Sequence, residues 1–402
     1  MKLLHTSDWH LGHRLHEQSQ FEEQSLFLTW LHEYIIDNEI EILLISGDIF
    51  DNGTPSSQSL KLYYDFLVQL TKTNCNHIVI IGGNHDSPGT LNAPKELLNA
   101  LSIKVVGKAS EDIKDEVFKL NSNSEEIIIA AIPYLRDQDI RKAVAGEAFD
   151  EITERYKKAL TKHYTEIAEY CDSIKSKNTP IIAMGHLFAA GGSVSESEQN
   201  IYVGNLGHIG AQDFPKTFDY IALGHLHRAQ TVGGVSHIRY CGSPYILSFS
   251  EINSDKKILV IETKGKDISS IEEFIIPQFR VVIRVTGNLK SCIIQLGVIS
   301  SNSYQLKPWV EVVLDNEANA NMGYAEIHKA ADVLDLEILK VTLKNQRNTM
   351  GLEQLIHDSK KIKALSPIDV FKLKCEEQNF NLDENEEIMD AFSEILNKVR
   401  EY

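Results

Sequence analysis

A chain of 402 residues exceeds the roughly 250 that a single hydrophobic core usually organises, so more than one domain is expected. The 43% hydrophobic and 24% charged fractions are those of an ordinary globular protein, and no apolar run approaches the roughly 20 residues a bilayer demands, which excludes a membrane-spanning role. The formal net charge of −17 argues against a free-standing nucleic-acid binder, although nine acidic residues against Lys398 and Arg400 concentrate part of it in residues 376–402.

In chain order, apolar runs predict strands at Lys2–Thr6, Ile42–Ser46, His77–Ile81, Ile127–Ile132, Pro180–Met184, Tyr220–Leu223, His237–Tyr240 and Lys257–Glu262. Helices are predicted over Glu22–Asn38, Ser57–Lys72 and Asp150–Lys175, the first with Leu28, Leu31 and Ile35 on one face. This alternation is the pattern of an α/β layered domain. Met1–Asp8 reads as a first strand running into polar residues, not as a signal peptide. Gly107–Glu126 is polar and reads as an exposed hairpin or loop. From about Gln278 a compact α+β module is expected, with strands at Arg280–Thr286, Trp309–Leu314 and Glu337–Leu343 and a helix over Tyr324–Leu334. Ser366-Pro367 offers a cap and first turn for a helix to about Glu377. A last helix from Glu384 carries Ile388, Phe392, Ile395 and Val399 as a narrow apolar stripe. Five cysteines without a C-x-x-C pair point to reduced thiols and a cytoplasmic setting.

Seven residues carry the chemistry: Asp8, His10, Asp48, Asn84, His186, His225 and His227. They stand in Asp8-Trp9-His10, Gly47-Asp48, Gly83-Asn84-His85-Asp86, Gly185-His186 and Gly224-His225-Leu226-His227, almost always just after a predicted strand. So many carboxylate, amide and imidazole donors exceed the needs of one ion and suit two divalent metals sharing a carboxylate, which is chemistry for breaking phosphate esters. Mixed nitrogen and oxygen donors favour Mn²⁺, Fe²⁺ or Zn²⁺ over Mg²⁺. Asp8 and His10, two apart, would share one face if the strand continued. His225 and His227 would do the same, or serve different metals if they flank a tight turn. Asp48 is the natural bridge, and the glycines let the backbone come close. His85 is the candidate acid for the leaving oxygen, with Asp86 as its orienting partner.

Alone, an Asp-x-His or a Gly-His is usually an ordinary loop feature, whereas polar residues crowded after a buried strand, as in Gly-Asn-His-Asp, need a compensating reason. The other histidines, including His13, His16 and His208, are read as surface or core residues. Asp51 is read as supporting the ligands instead of binding an ion, and Trp9 as core packing.

The five groups together resemble the calcineurin-like metallophosphoesterase superfamily. Within it, residues 1–262 are similar to the SbcD family of bacterial SbcCD nuclease subunits. That likeness also rests on Ile132-Pro133-Tyr134-Leu135-Arg136, Ile201–Gly204, Ala211–Pro215, Asp219–Gln230, Arg239–Pro244 and Leu247-Ser248-Phe249. Asp51 matches the bacterial members, where archaeal and eukaryotic relatives tend to carry histidine. The resemblance implies a four-layer β-sandwich flanked by helices over residues 1–265, a capping domain over 275–345 and a partner-binding helical region over 346–402. It implies one metal on Asp8, His10, Asp48 and His227 and another on Asp48, Asn84, His186 and His225, with His85 as acid. It further implies Mn²⁺-dependent DNA cleavage, as a 3′–5′ exonuclease on duplex ends and an endonuclease on single strands and hairpins, in repair, replication and recombination. The implied partners are DNA, a second copy of the chain, and SbcC, a coiled-coil ABC-type ATPase docking on helices 366–402. Two rivals carry the same motifs: a phosphodiesterase for small molecules such as cyclic nucleotides, and a scaffold with a degenerate site.

Overall fold

The computed structural model describes residues 1–122, 125–136, 139, 149–189, 209–315 and 320–344. Its first strands, β1 (Lys2–Thr6), β4 (Ile42–Ser46) and β5 (His77–Ile81), coincide with the apolar runs that predicted them, and a short hairpin of β2 (Arg14–Leu15) and β3 (Gln18–Ser19) falls between β1 and β4. With β6 (Ile103–Val106), β13 (Lys257–Lys264) and β14 (Asp267–Ile275) they build one six-stranded sheet in the order β14-β13-β1-β4-β5-β6. The second six-stranded sheet comprises β7 (Val117–Ser122), β8 (Glu125–Ala131), β9 (Ile181–His186), β10 (Tyr220–Gly224), β11 (Gln230–Val232) and β12 (Val235–Tyr240), in the order β11-β12-β10-β9-β8-β7. In each sheet four consecutive strands run parallel: β1, β4, β5 and β6 in one, β8, β9, β10 and β12 in the other.

Side-chain alternation along these strands divides the core into three layers. Ile42 and Leu44 of β4 meet Ile182 and Met184 of β9 between the two sheets. Leu43 and Ile45 point the other way, onto helices Phe21–Asp37 and Ser57–Leu70, through Phe27, Leu31, Tyr63 and Phe66. Ile181 and Ala183 face helix Phe149–Ile174 through Leu160, Tyr164 and Ile167. The result is the expected helix–sheet–sheet–helix sandwich, α/β in class. Trp9 is core packing, buried against Phe27 and Phe66.

One expectation is corrected, and two elements were not expected from the sequence. Gly107–Glu126 is not exposed throughout: a 3₁₀ turn at Ile113–Glu116 leads into β7, which pairs antiparallel with β8 and buries Val117 and Leu120. Edge strand β14 follows β13 with so many polar residues that its apolar signal is weak. In the C-terminal module a helix, Leu289–Ser300, joins β15 (Arg280–Gly287) to β16 (Leu306–Asp315). Its Ile293-Ile294 and Val298-Ile299 pairs disguise it, but the Asn288 side chain caps it by accepting from the Ser291 amide at 2.9 Å.

Helix Ala320–Ala331 and β17 (Glu337–Lys344) complete a three-stranded sheet, β15-β16-β17, with its own core of Val285, Leu296, Val310, Val312 and Ile327. Met1–Thr342 form one compact unit, in which the module's Val282 and Trp309 pack on Leu15, Ile246 and Phe249 of the sandwich. Leu343–Tyr402 is a second unit, described only to Lys344, so the helices expected over 366–402 and His208 lie outside the described residues.

Candidate metal centre

All seven candidate donors come together at the carboxyl ends of the parallel strands of both sheets, on loops following β1, β4, β5 and β10 and at the last residue of β9. The loops after β1 and β4 are zipped by their main chains: the Asp8 amide donates to the Gly47 carbonyl at 3.0 Å and the His10 amide to the Asp48 carbonyl at 3.0 Å. Asp8 and His10 do not share a strand face, because β1 has ended. Both have left-handed backbones (φ 54° and 42°), as do Asp48 (49°) and His225 (103°). Such strain at non-glycine residues persists only where surrounding structure enforces it, and here it turns the donors inward. Gly83 and Gly224 are required for the same convergence, since a β-carbon would strike the Asp48 carboxylate at the first and the Ser46 carbonyl at the second. Gly185 instead makes room for the Tyr164 hydroxyl, away from the donors.

Asp48 lies between two clusters. Its Oδ2 is 3.6 Å from His10 Nε2 and 3.2 Å from His186 Nε2, while Oδ1 accepts from the His85 amide at 2.9 Å. Donor atoms of Asp8, His10 and His227 gather on one side, and those of Asp48, His186 and His225 on the other. Asn84 Oδ1 completes the second cluster, 3.0 Å from His186 Nε2 and 2.9 Å from His225 Nδ1. His225 and His227 thus diverge, as residues flanking a tight turn do.

The outer contacts orient the rings. His186 Nδ1 donates to the Ser46 carbonyl at 2.9 Å, turning Nε2 inward. His227 Nδ1 lies 3.3 Å from Glu251 Oε1, and His10 Nδ1 lies 3.4 Å from Asp51 Oδ1. Asp8 is held by Ser7 Oγ at 2.5 Å and by the His225 amide at 2.9 Å.

His85 Nδ1 lies 2.8 Å from the main-chain carbonyl of Asp51. Its orienting partner is therefore Asp51, and the role expected of Asp86 is corrected. The Asp86 carboxylate is buried and accepts instead from the amides of Gly83 (2.8 Å), Phe50 (3.0 Å) and Ile49 (3.2 Å), fastening the β5 loop to the β4 loop. Burial, with the Asp48 charge nearby, lifts Asp86 to about 6 against the pull of those amides. His13 is not a bland loop histidine: Nδ1 sits 2.7 Å from Asp51 Oδ1 and Nε2 3.1 Å from the Leu247 carbonyl. Glu251 and Lys256, which sequence reading passed over, form a buried pair at 2.6 Å beside His227.

The donor set fits divalent cations. Burial depresses His10, and burial with the His186 charge takes His225 down to about 3, so both rings are neutral and present lone pairs. Burial would raise Asp48, yet the charge and hydrogen bond of His186, with His10 and His85, hold it well below the usual carboxylate range. The Asp48 and Asp8 charges overcome burial and drive His186 to about 9, so a cation held there would displace its Nε2 proton. Donor atoms of Asp48, His186 and His225 gather within 4.8 Å of one another beside Asn84 Oδ1, and His10 Nε2, whose ring faces Asp51 through Nδ1, has no hydrogen-bond partner among the described residues. Cations would satisfy both the gathered donors and the orphaned Nε2.

Comparison with known proteins identifies the family of the chain. Residues 1–229 match the family model of the calcineurin-like phosphoesterases, and residues 278–379 match a model described as the type 5 capsule protein repressor C-terminal domain. Over 402 aligned residues the chain is 31% identical to SbcD of the SbcCD nuclease of Escherichia coli (strain K12), covering 99% of this chain and 98% of that protein. The SbcD of Bacillus subtilis (strain 168) is 28% identical over 100% of this chain and 99% of its own. That of Rhodobacter capsulatus is 32% identical over 66% of this chain and 67% of its own. The chain belongs to the calcineurin-like phosphoesterases and, within them, to the SbcD family of SbcCD nuclease subunits.

Proposed function

We propose that the chain is the nuclease subunit of an SbcCD-type complex, hydrolysing DNA phosphodiesters at a centre of two divalent metals, Mn²⁺ by family. The observation that carries this reading is the position of the Asp48 carboxylate, within reach of both His10 and His186, as a bridge between two ions must be. Asp8, His10, Asp48 and His227 would hold one ion, and Asp48, Asn84, His186 and His225 the other. Bound there, the pair would polarise the phosphate and supply a nucleophile at neutral pH. The protein's own part is geometric and protonic. Asp86 locks the two loops that present Asp48 and Asn84, and the Asp51 carbonyl fixes His85 Nδ1–H, leaving Nε2 to hand a proton to the departing DNA oxygen.

By family, the activities are 3′–5′ exonuclease on duplex ends and endonuclease on single strands and hairpins, serving DNA repair, replication and recombination. We assign residues 1–265 to the nuclease domain, 275–345 to a cap that shapes access of DNA ends, and 346–402 to the region that docks SbcC, through 366–402. Two such chains would pair within a heterotetramer. A cytoplasmic setting suits the buried thiols of Cys75, Cys171, Cys241 and Cys292, and among the described residues no helix is long and apolar enough to cross a membrane.

The test is cleavage of a hairpin-ended duplex by the purified chain with Mn²⁺, Mg²⁺ or EDTA, with and without SbcC and ATP. Mn²⁺-dependent cutting that grows with the partner is expected. No cutting by a chain shown to bind two metals would favour a small phosphodiester as substrate.

A further inference from the structure

The two metal positions are braced differently. His186 leans on the Ser46 carbonyl, inside the sandwich. His227 directly, and His10 through His13 and Asp51, are braced by one largely buried turn, Leu247–Glu251, which follows the Gly242-Ser243-Pro244 segment. At its end, Glu251 reaches His227 Nδ1 at 3.3 Å. Glu251 is itself pinned by Lys256 Nζ at 2.6 Å and by the Leu247 amide at 3.2 Å, and the same ammonium donates to the His227 carbonyl at 3.2 Å and to Ser243 Oγ at 2.7 Å. At its start, the Leu247 carbonyl faces His13 Nε2 at 3.1 Å, and His13 passes this support through Asp51 (2.7 Å) to His10 (3.4 Å).

This turn is also where the β15–β17 module grips the sandwich. The Arg284 guanidinium donates to the Phe249 carbonyl at 3.2 Å, and the Phe249 side chain is buried with Val282 and Trp309. The module therefore touches, through three consecutive residues, the carboxylate that orients a metal-facing imidazole.

We propose that Leu247–Glu251 is the positioning element of the Asp8–His10–His227 metal position, with Glu251 as its positioning residue, and that seating of the cap on Phe249 sets the affinity of that position separately from the Asp48–His186–His225 one. The proposal rests on the two-metal reading. Outer partners of metal ligands commonly govern affinity through orientation, and here that orientation is anchored to the β15–β17 module.

The experiment is a Mn²⁺ titration of the full chain, followed by calorimetry and by the electron paramagnetic resonance signal that separates single from paired ions. Replacing Glu251→Leu together with Lys256→Met removes the carboxylate without stranding a buried ammonium. Binding of one ion is expected to weaken roughly 10- to 100-fold while the other is retained. Glu251→Gln in the same Lys256→Met background keeps an acceptor for Nδ1 and should restore most of the loss. Arg284→Gln, which leaves Glu311 paired with Lys340, should weaken the same ion to a lesser degree. Folded variants that take both ions as the parent does, or that weaken both equally, overturn the proposal. A parent chain that never holds two ions overturns the two-metal reading instead.

Discussion

The Asp51 carbonyl oxygen lies 2.8 Å from His85 Nδ1, while the carboxylate of the same residue lies 2.7 Å from His13 and 3.4 Å from His10. One residue thus orients the proposed acid with its main chain and a proposed ligand with its side chain. Substitutions can separate the two duties. His85→Gln should lower DNA cleavage by about 10²–10⁴-fold with Mn²⁺ binding intact. Asp51→Asn keeps the carbonyl, so at saturating Mn²⁺ its cleavage rate should stay near that of the parent while Mn²⁺ affinity falls by roughly tenfold. A rate loss in Asp51→Asn that added Mn²⁺ does not recover would show that the carboxylate, not the carbonyl, governs His85.

Asp48 Oδ2 lies within reach of both clusters, 3.6 Å from His10 Nε2 and 3.2 Å from His186 Nε2, whereas Asn84 Oδ1 faces His186 and His225. Asp48→Ala should therefore weaken both ions beyond the roughly 10- to 100-fold cost typical of an outer partner, and Asn84→Ala should weaken one. Calorimetric Mn²⁺ titration of the two variants distinguishes these patterns. Retention of one tight ion in Asp48→Ala would remove the bridge.

Much of this arrangement was legible because β4, β5, β9 and β10 are largely apolar runs that end at or just before a polar group. Ile42–Ser46 stops at Gly47-Asp48, and His77–Ile81 stops just before Gly83-Asn84. The outer supports were not legible. His13 and the Leu247 carbonyl are 234 positions apart, and Glu251 sits 24 residues beyond His227 in a stretch with no periodicity. Asp86 was misread because adjacency to His85 says nothing about direction: its carboxylate turns back to three amides. Helix Leu289–Ser300 was missed since its paired β-branched residues imitate a strand.

His5 gives a pH signature. It is fully buried between the sheets, with Nδ1 3.0 Å from the Tyr220 hydroxyl, and burial lowers it to about 3. The fold thus favours the neutral ring. Between the unfolded value near 6.5 and the folded value near 3, the unfolded chain binds the extra proton, so stability falls as pH falls through that window. The contribution is fully present above about pH 6.5 and declines by up to about 1.4 kcal/mol per pH unit below it. Urea unfolding at pH 7, 6 and 5 should show a steeper decline for the parent than for His5→Phe. Parallel declines would mean that the ring is not held neutral.

Arg280 ties the β15–β17 module to the first helix. Its Nε donates to Glu23 at 2.5 Å, Nη2 to Glu22 at 2.7 Å and Nη1 to the Lys307 carbonyl at 2.8 Å, and the guanidinium stacks 4.3 Å from the centre of the Trp309 ring. Glu23 is buried, and its Oε2 has no hydrogen-bond partner among the described residues, so Arg280 is what makes its charge tolerable. Arg280→Met should cost about 3–5 kcal/mol by stranding that carboxylate, as breaking one side of a buried pair does. Adding Glu23→Leu should recover most of the loss, because two apolar side chains can replace a buried ion pair with little penalty. The double variant, compared with each single one by urea denaturation, measures this directly. Equal instability of Arg280→Met with and without Glu23→Leu would assign the loss to the stacking on Trp309 and the Lys307 carbonyl instead.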